Sequence, residues 1–207
     1  MPERSKLICA DLHVHTKYSF DSAIQPKTIV DQLLVNPTVK AAAITDHNKV
    51  DGYYKVRELA STYKDVVIIP GVEVSTVEGD LIILGFAELP PEPWTVEGVI
   101  EFAHERGGLV IAAHPYREYG LGDSAAKYDL DAIEVLNGAA APYANRLAEA
   151  LAREMSLPGV AGSDAHRADE LWTAYTKIQA SSDLHEILGA LKKGLVNVVS
   201  AGRSIRF

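Results

Sequence analysis

The sequence predicts a single α/β domain whose largely parallel sheet closes into a distorted barrel. Short apolar runs rich in β-branched residues alternate along the 207 residues with segments of helical period. Histidines and carboxylates follow several of these runs at their C-terminal ends, which is where barrel enzymes carry their functional groups. No repeat, low-complexity tract or Gly/Ser-rich linker divides the chain. One domain spanning residues 1–207 is therefore expected.

The predicted strands follow one another at short intervals. The pattern predicts them at residues 7–14, 41–45, 66–69, 81–86, 109–113, 132–136, 159–162, 173–179 and 196–200. The run at 81–86 follows its predecessor too closely for a crossover helix. An antiparallel hairpin is expected there, with fewer than eight regular βα units.

Helices are predicted between most of these strands. The first begins at Pro26 and carries Ile29, Leu33 and Leu34 on one side, since proline favours the first turn of a helix. Further helices are predicted at residues 52–63, 95–106, 142–154 and 182–193. Two of them end at glycine, one at residues 107–108 and the other at Gly194.

Composition narrows the classes of function and location. The chain has 47% apolar residues, and 20 basic against 28 acidic residues give a net charge of −8. This charge disfavours a non-specific nucleic-acid surface. The single cysteine, Cys9, lies in an apolar stretch and is expected to be a buried thiol. The sequence shows no apolar run of signal-peptide or membrane-span length, so a cytoplasmic protein without a membrane partner is expected.

Two pairs of polar residues are spaced to face one cavity. Side chains two positions apart on a strand share a face, so His13 with His15 and Asp164 with His166 can each present two ligands. His47 and His114 also follow apolar runs, and Glu73 follows the run at 66–69. Imidazole and carboxylate together suit Mn, Zn or Fe better than Mg or Ca. The sequence therefore predicts a transition-metal site.

Together these fragments resemble the PHP family, the polymerase and histidinol phosphatase superfamily. The resemblance is carried by His13-Val14-His15-Thr16, Asp21, Thr45-Asp46-His47-Asn48, Gly71-Val72-Glu73-Val74-Ser75, His114-Pro115 and Gly162-Ser163-Asp164-Ala165-His166. It implies a distorted (β/α)7 TIM-like barrel that binds two or three divalent ions and hydrolyses phosphoesters.

The resemblance also implies a set of ligands. His13, His15, Glu73 and Asp164 would hold the first ion, Glu73 and His114 the second, and Asp21, His47 and His166 the third. Many family members supply another histidine to the second ion, yet this chain has none between His114 and His166. Glu134 or Asn137 could replace it, that ion could bind weakly, or the site could work with two ions.

Several other residues are candidates for supporting roles. Arg117 and Arg167 each follow a ligand histidine and could grip phosphate oxygens, and Tyr116 and Tyr119 could stack on a ring. Asp11 and Asp46 are expected to orient imidazoles, although Asp11 could instead accept from nearby amides. The loops at residues 116–127 and 137–142 are expected to build the pocket. His104 and His185 are assigned to the surface.

The expected activity is hydrolysis of a small phosphomonoester, a nucleotide or a sugar or metabolite phosphate, by attack of a metal-bound hydroxide. Glu73, Asp164, His166 and Arg117 would be the catalytic residues. The expected partner is the small phosphorylated substrate, with nucleic acid only as a short or terminal substrate. Three alternatives are a nuclease or phosphodiesterase on the same scaffold, a metallohydrolase of the amidohydrolase type, and a non-catalytic PHP-like subunit.

Overall fold

The structure, a computed structural model, describes residues 6–200. A nine-stranded sheet curls into a nearly closed barrel, which confirms the predicted fold class. Its strands are β1 (Ile8–Val14), β2 (Val39–Ile44), β3 (Val67–Ser75), β4 (Asp80–Leu84), β5 (Leu109–Ala112), β6 (Ala132–Asn137), β7 (Gly159–Gly162), β8 (Ala174–Ile178) and β9 (Val196–Ser200). The helices are α1 (Pro26–Val35), α2 (Asp51–Ala60), α3 (Val96–Glu105), α4 (Pro142–Met155) and α5 (Leu184–Lys192).

The strand order is β7-β6-β5-β4-β3-β2-β1-β8-β9. The pairs β1–β2, β2–β3, β5–β6 and β6–β7 are parallel, as expected of strands joined by helices. The remaining pairs are antiparallel: β3–β4, β4–β5, β1–β8 and β8–β9. The sheet is thus less parallel than the sequence predicted, because β8 and β9 add a second antiparallel region beyond the expected hairpin.

The barrel closes between β1 and β7 near their C-terminal ends. The His15 N–H donates to the Ala165 carbonyl at 3.1 Å, and the Asp164 N–H donates to the His13 carbonyl at 2.8 Å. One residue before the end of β7, the Thr176 hydroxyl of β8 accepts from the Ala161 N–H and donates to the Ala161 carbonyl. Closure therefore brings the residues after β7 directly against those at the end of β1.

The hydrophobic core has an inner part and an outer part. Inside the barrel, Leu12, Ile69, Ile82 and Ile111 pack together with Ile187 of α5. Outside, helices α1 and α2 cover β1 and β2, and helices α3 and α4 cover β3 to β6. Within residues 6–200, none of the helices has the length and apolar character needed to cross a membrane.

Strand β3 is longer than the sequence predicted. The predicted strand ended at residue 69, but β3 continues to Ser75 because its second half pairs with β4, from Gly71 opposite Leu84 to Ser75 opposite Asp80. Glu73 therefore lies within a strand and not after one. The hairpin extends above the rest of the barrel mouth and forms one wall of the cavity there.

A β-bulge near the end of β1 turns its histidines inward. Asp11 pairs with Ala42 and Val14 pairs with Ile44, so β1 has one residue more than β2 over this interval. Leu12 packs inside the barrel and Val14 packs outside against the helices. The extra residue lets His13 face the barrel mouth directly after Leu12, and normal alternation then places His15 on the same face.

Candidate metal centre

Imidazole and carboxylate atoms from five segments meet at the barrel mouth. The Glu73 Oε2 atom lies 3.2 Å from Nε2 of His13, 3.2 Å from Nε2 of His15 and 3.1 Å from Nδ1 of His47. Asp164 Oδ1 lies 3.4 Å and 3.2 Å from the same His13 and His15 nitrogens. His13 and His15 thus share two carboxylates, an arrangement that can hold a metal ion.

Two further groups of ligand atoms adjoin this centre. His114 Nε2 lies 2.9 Å from Glu73 Oε1, on the side away from His47. Asp21 Oδ2 lies 3.4 Å from Nε2 of His47 and 3.2 Å from Nε2 of His166. Potential ligand atoms therefore form the clusters His13–His15–Asp164, His13–Glu73–His114 and His15–His47–His166.

Buried ligand atoms at this centre lack hydrogen-bond partners in the described part of the chain. They are His13 Nε2, His15 Nε2, His47 Nδ1, His114 Nδ1 and Glu73 Oε2. Burying a polar atom without a partner costs about 1–3 kcal/mol, so proteins seldom leave several together. Apart from His114 Nδ1, these nitrogen atoms all lie within 3.2 Å of Glu73 Oε2. Divalent cations bound at this centre would provide partners for the nitrogen and oxygen atoms around Glu73.

The opposite nitrogens of three histidines are held by protein acceptors. His13 Nδ1 lies 3.1 Å from Glu134 Oε1, His15 Nδ1 lies 3.0 Å from Ser19 Oγ, and His166 Nδ1 lies 2.9 Å from the Asp164 carbonyl. A carbonyl or carboxylate requires an N–H partner, so Nδ1 of His13 and His166 carries the proton. Each Nε2 atom then directs its lone pair toward the centre, as a metal ligand must.

Asp46 holds the residues that orient His15. Its Oδ1 atom accepts from the Thr16 N–H at 2.6 Å and from the Ser19 hydroxyl at 2.8 Å, and Oδ2 accepts from the Thr16 hydroxyl at 2.7 Å. Because Ser19 donates to Asp46, its oxygen is free to accept from His15 Nδ1 and from the His47 N–H. Asp46 thus orients His15 through a serine that the sequence analysis did not identify.

Electrostatics favours the charged forms of the central groups. Burial opposes protonation of His13, but Asp164 and Glu73 outweigh it and hold its pKa well above the usual range. For His15 the same balance raises the pKa to about 9. Burial also opposes ionisation of Glu73 and Asp164, yet the neighbouring histidines lower the pKa of both. The two carboxylates thus favour positive charge on the groups between them.

The backbone is strained at three points of the centre. Asn48, His114 and Asp164 have φ angles of 52°, 26° and 54°, in the left-handed region that non-glycine residues seldom adopt. Such conformations cost about 1–3 kcal/mol and cluster at functional sites. Asn48 has an evident compensation, because its side chain accepts from the Ser75 N–H at 2.9 Å and ties the loop after β2 to the end of β3.

Arg117, which is predicted to bind phosphate oxygens, reaches the centre in this structure. Its guanidinium forms a close ion pair with Asp164 Oδ2 and donates to Asn137 Oδ1 at 3.2 Å. The Asn137 amide donates to Asp164 Oδ2 at 3.2 Å and to Glu134 Oε2 at 3.0 Å. Asp164 therefore presents one oxygen to the histidines while the other is held by Arg117 and Asn137.

Glu134 and Asn137, the two residues considered as replacements for a histidine ligand, are engaged with other residues of the centre. One Glu134 oxygen is bound to His13 and the other accepts from the His114 N–H at 2.8 Å. Asn137 is engaged with Glu134, Asp164 and Arg117. In this structure the polar atoms of both residues orient other residues of the centre.

Three other predicted roles differ from what the structure shows. Arg167 is exposed and pairs with Asp169 at 2.9 Å, so its guanidinium points away from the cavity. The Tyr116 hydroxyl donates to Asp123 at 2.5 Å outside the cavity, whereas Tyr119 lines it. Asp11 accepts from the N–H groups of His13, Ser163 and Trp172 and touches no imidazole.

The cavity walls also differ from expectation. Residues 117–119 line it, but the loop at 137–142 does not, because Asn137 turns back into the centre and α4 begins at Pro142. Instead the opposite wall is the β3–β4 hairpin at residues 75–80. His185 is exposed as predicted, while His104 is partly buried and lies 2.8 Å from Asp131 at the other end of the barrel.

Comparison with other proteins places the chain in a family. The PHP domain family matches residues 11–147, and a second family, described as PHP-associated, matches residues 142–196, which include Asp164 and His166. Uncharacterized protein MJ1587 of Methanocaldococcus jannaschii is 38% identical over 140 residues, covering 62% of this chain and 81% of that protein. Protein MJ0417 of the same organism, also uncharacterized, is 28% identical over 200 residues, covering 88% and 78%.

Solved structures share the fold at low sequence identity. PsfC from Pseudomonas syringae superposes with a TM-score of 0.73 at 20% identity, over 96% of this chain and 93% of that one. A Bifidobacterium adolescentis structure named for a proposed metal-dependent phosphoesterase gives 0.61 at 16% identity, over 80% and 89%. An amidohydrolase from Chromobacterium violaceum gives 0.62 at 18% identity, over 76% and 87%. Because the PHP domain match covers more than half of the sequence, this chain belongs to the PHP family.

Proposed function

We propose that this protein is a metal-dependent hydrolase that releases phosphate from a small phosphomonoester. The observation that carries the proposal is the set of buried, unpartnered nitrogen and oxygen atoms around Glu73. The donor set is imidazole nitrogen with carboxylate oxygen, which fits Mn, Zn or Fe. The Bifidobacterium structure that shares this fold is named for metal-dependent phosphoesterase activity, which agrees with this chemistry.

Two or three ions would share the centre. His13, His15, Glu73 and Asp164 would hold the first, Glu73 with His114 the second, and Asp21, His47 and His166 the third. When bound, such ions lower the pKa of water and offset negative charge on a phosphoryl group. The protein contributes the positions of these ligands, which Ser19, Asp46 and Glu134 fix from behind.

Arg117 is proposed to bind the phosphoryl group. It lines the cavity, and its ion pair with Asp164 and hydrogen bond to Asn137 hold the guanidinium in place. A fixed guanidinium can donate to two phosphate oxygens without first losing its own freedom of motion. Asp21 and His166 are the more accessible members of the centre, and Asp164 also lies in the cavity wall, so these three residues would meet the substrate together with Arg117. Glu73 is fully buried and would act through the ions that it holds.

The test is phosphate release from a panel of phosphomonoesters, with phosphodiesters in parallel. The protein would be stripped with a chelator and reloaded with Mn²⁺, Zn²⁺ or Fe²⁺. We expect metal-dependent turnover of monoesters, and loss of both turnover and bound metal in His13→Ala and Asp164→Ala. His185→Ala is the matched control, because this exposed histidine lies on α5 away from the cavity. Cleavage of diesters alone would favour a nuclease, and silence on both classes would favour a non-catalytic subunit.

A further inference from the structure

Three large apolar side chains stand exposed around the mouth of the cavity. Phe20, Val77 and Tyr119 are 88%, 85% and 71% exposed, and all three line the same cavity of about 400 Å³. Single exposed apolar residues are common on protein surfaces and need no explanation. A group of them around one polar cavity is different, because such patches mark places where a ligand or partner packs.

The three side chains come from separate segments that are tied to the barrel. Phe20 lies between Ser19, which is bonded to Asp46, and Asp21, and its ring centre is 5.4 Å from that of His47. Val77 is in the β3–β4 turn, where its N–H donates to the Trp94 carbonyl at 3.3 Å. The Tyr119 carbonyl accepts from the Asp80 N–H at 2.7 Å, and this hydrogen bond joins the cavity wall at residues 117–119 to the wall formed by the β3–β4 hairpin.

Tyr119 also adopts an unfavourable backbone conformation at the rim. Its φ angle is 64°, in the left-handed region, and the residue that follows it is Gly120. This conformation leaves the ring exposed and directs the carbonyl to Asp80. Backbone outliers of this kind cluster at functional sites, so the conformation of Tyr119 supports a role of the rim in binding.

The charges along the cavity disfavour substrates that carry a second anionic group. Among the described lining residues that are not proposed to bind ions, Glu78, Asp80 and Glu118 carry carboxylates and Arg117 carries the one guanidinium. Arg117 is already paired with Asp164. A second anionic group on the substrate would therefore meet carboxylates beyond the metal centre, and like charges in a confined site disfavour binding.

We infer that the alcohol released by this enzyme carries an apolar or aromatic group and is neutral or cationic. The inference rests on the proposed phosphatase function. The phosphoryl group would occupy the polar floor at Arg117, and the organic group would pack against Phe20, Val77 and Tyr119. The cavity volume falls within the range of small-molecule sites and exceeds what a phosphate group alone needs. Nucleic-acid ends and bisphosphates are poor substrates on this basis.

The test compares phosphomonoesters of simple alcohols, so that leaving-group chemistry stays similar. Benzyl phosphate would be measured against ethyl phosphate, and 4-(aminomethyl)benzyl phosphate against 4-carboxybenzyl phosphate. We expect kcat/KM to favour benzyl over ethyl, and the amine over the carboxylate, by at least about ten-fold each. Phe20→Ala and Tyr119→Ala should each reduce the benzyl preference several-fold. Tyr143→Ala, an exposed tyrosine on α4 outside the cavity, should leave it unchanged.

Charge selection has its own variant and control. Glu118→Gln should narrow the preference for the amine over the carboxylate at low salt, because it removes a carboxylate from the cavity wall. Glu101→Gln on α3, also exposed but outside the cavity, should not. Equal turnover of all four esters, or preferences that the rim variants do not alter, would overturn the inference while leaving the phosphatase function intact.

Failure of the proposed function would look different. If no ester is hydrolysed with any metal, calorimetric binding of benzylphosphonate and ethylphosphonate to the Zn²⁺-loaded protein still tests the rim. A benzyl preference that Phe20→Ala reduces would support the apolar rim without hydrolysis. Equal binding of both phosphonates, or binding of neither, would refute it.

Discussion

Gly52 allows the buried Asp46 carboxylate to approach helix α2, and its replacement by alanine should damage the metal centre from a distance. A Cβ atom at position 52 would lie 1.8 Å from Asp46 Oδ2 and 2.5 Å from Thr16 Oγ1. The 1.8 Å overlap is too close for the present positions of Asp46 and the α2 backbone, and moving the Asp46 side chain is the direct way to relieve it. That movement would break its hydrogen bonds to Thr16 and Ser19, and with them the support of His15.

The expected magnitude follows from the bonds at risk. Hydrogen bonds to a charged group contribute about 1.5–3 kcal/mol each, and at least two of three would be lost. Alanine in a helix recovers about 0.5–1 kcal/mol relative to glycine. We therefore expect Gly52→Ala to destabilise the protein by about 2–5 kcal/mol. This corresponds to a fall in Tm of about 5–20 °C for a domain of this size.

The assay combines thermal unfolding with Zn²⁺ binding measured by competition with a chelator. Gly189→Ala is the matched control, because it makes the same substitution in helix α5, where nothing lies within 4 Å of the added Cβ. Gly189→Ala should be neutral or slightly stabilising, whereas Gly52→Ala should also weaken Zn²⁺ binding by about 10–100-fold. If the two variants have the same Tm and the same Zn²⁺ affinity, Asp46 does not orient the centre as described.

Three further results are expected. Ser19→Ala should weaken Zn²⁺ binding by about 10–100-fold and lower Tm by about 3–12 °C, since it removes the buried hydroxyl that links Asp46 to His15 and accepts from the His47 N–H; unchanged affinity would contradict the tautomer assigned to His15. Arg167→Ala should leave kcat/KM unchanged and alter stability by less than about 1 kcal/mol, because its exposed ion pair with Asp169 lies outside the cavity; a large loss of activity would restore its predicted role in substrate binding. The pKa of His15 is raised to about 9 in the folded protein, so protonation of His15 stabilises the metal-free fold by at most about 3 kcal/mol below pH 6.5. This stabilisation is lost as the pH rises through 9, and the Tm of chelator-treated protein should fall over that range. A rising Tm would contradict the pairing of His15 with Glu73 and Asp164.

The meeting of the candidate ligands at one end of the barrel was predictable from the positions of these residues in the sequence. His13, His47, His114 and Asp164 each follow or end an apolar run, and the barrel topology brings those ends together. The prediction for His13 nevertheless depended on a feature that the sequence does not reveal. Ala10 and Leu12 face the barrel interior, so strict alternation would turn His13 outward, and only the bulge in β1 places it in the mouth.

The supporting residues were harder to predict because their roles depend on three-dimensional packing. Ser19 lies in a turn with no pattern that marks it as a partner of His15, and it gains its role only when Asp46 approaches through the space above Gly52. Glu134 faces the right cavity but offers its oxygens to His13 Nδ1 and the His114 N–H. Whether a buried carboxylate binds a metal or orients a ligand depends on distances of an ångström or two, which sequence spacing does not specify.

In this centre, the carboxylates that face the proposed ions differ from the groups that orient the histidine rings. Glu73 and the inner oxygen of Asp164 contact imidazole nitrogens whose opposite ring atoms are already engaged, so the histidines can present lone pairs without searching other tautomers. In the metal-free protein those carboxylates instead stabilise protonated His13 and His15. Metal binding must then release protons, and its apparent affinity should rise with pH while the stability of the metal-free protein falls. The same charges that prepare the centre for a cation therefore preserve its geometry before the cation binds.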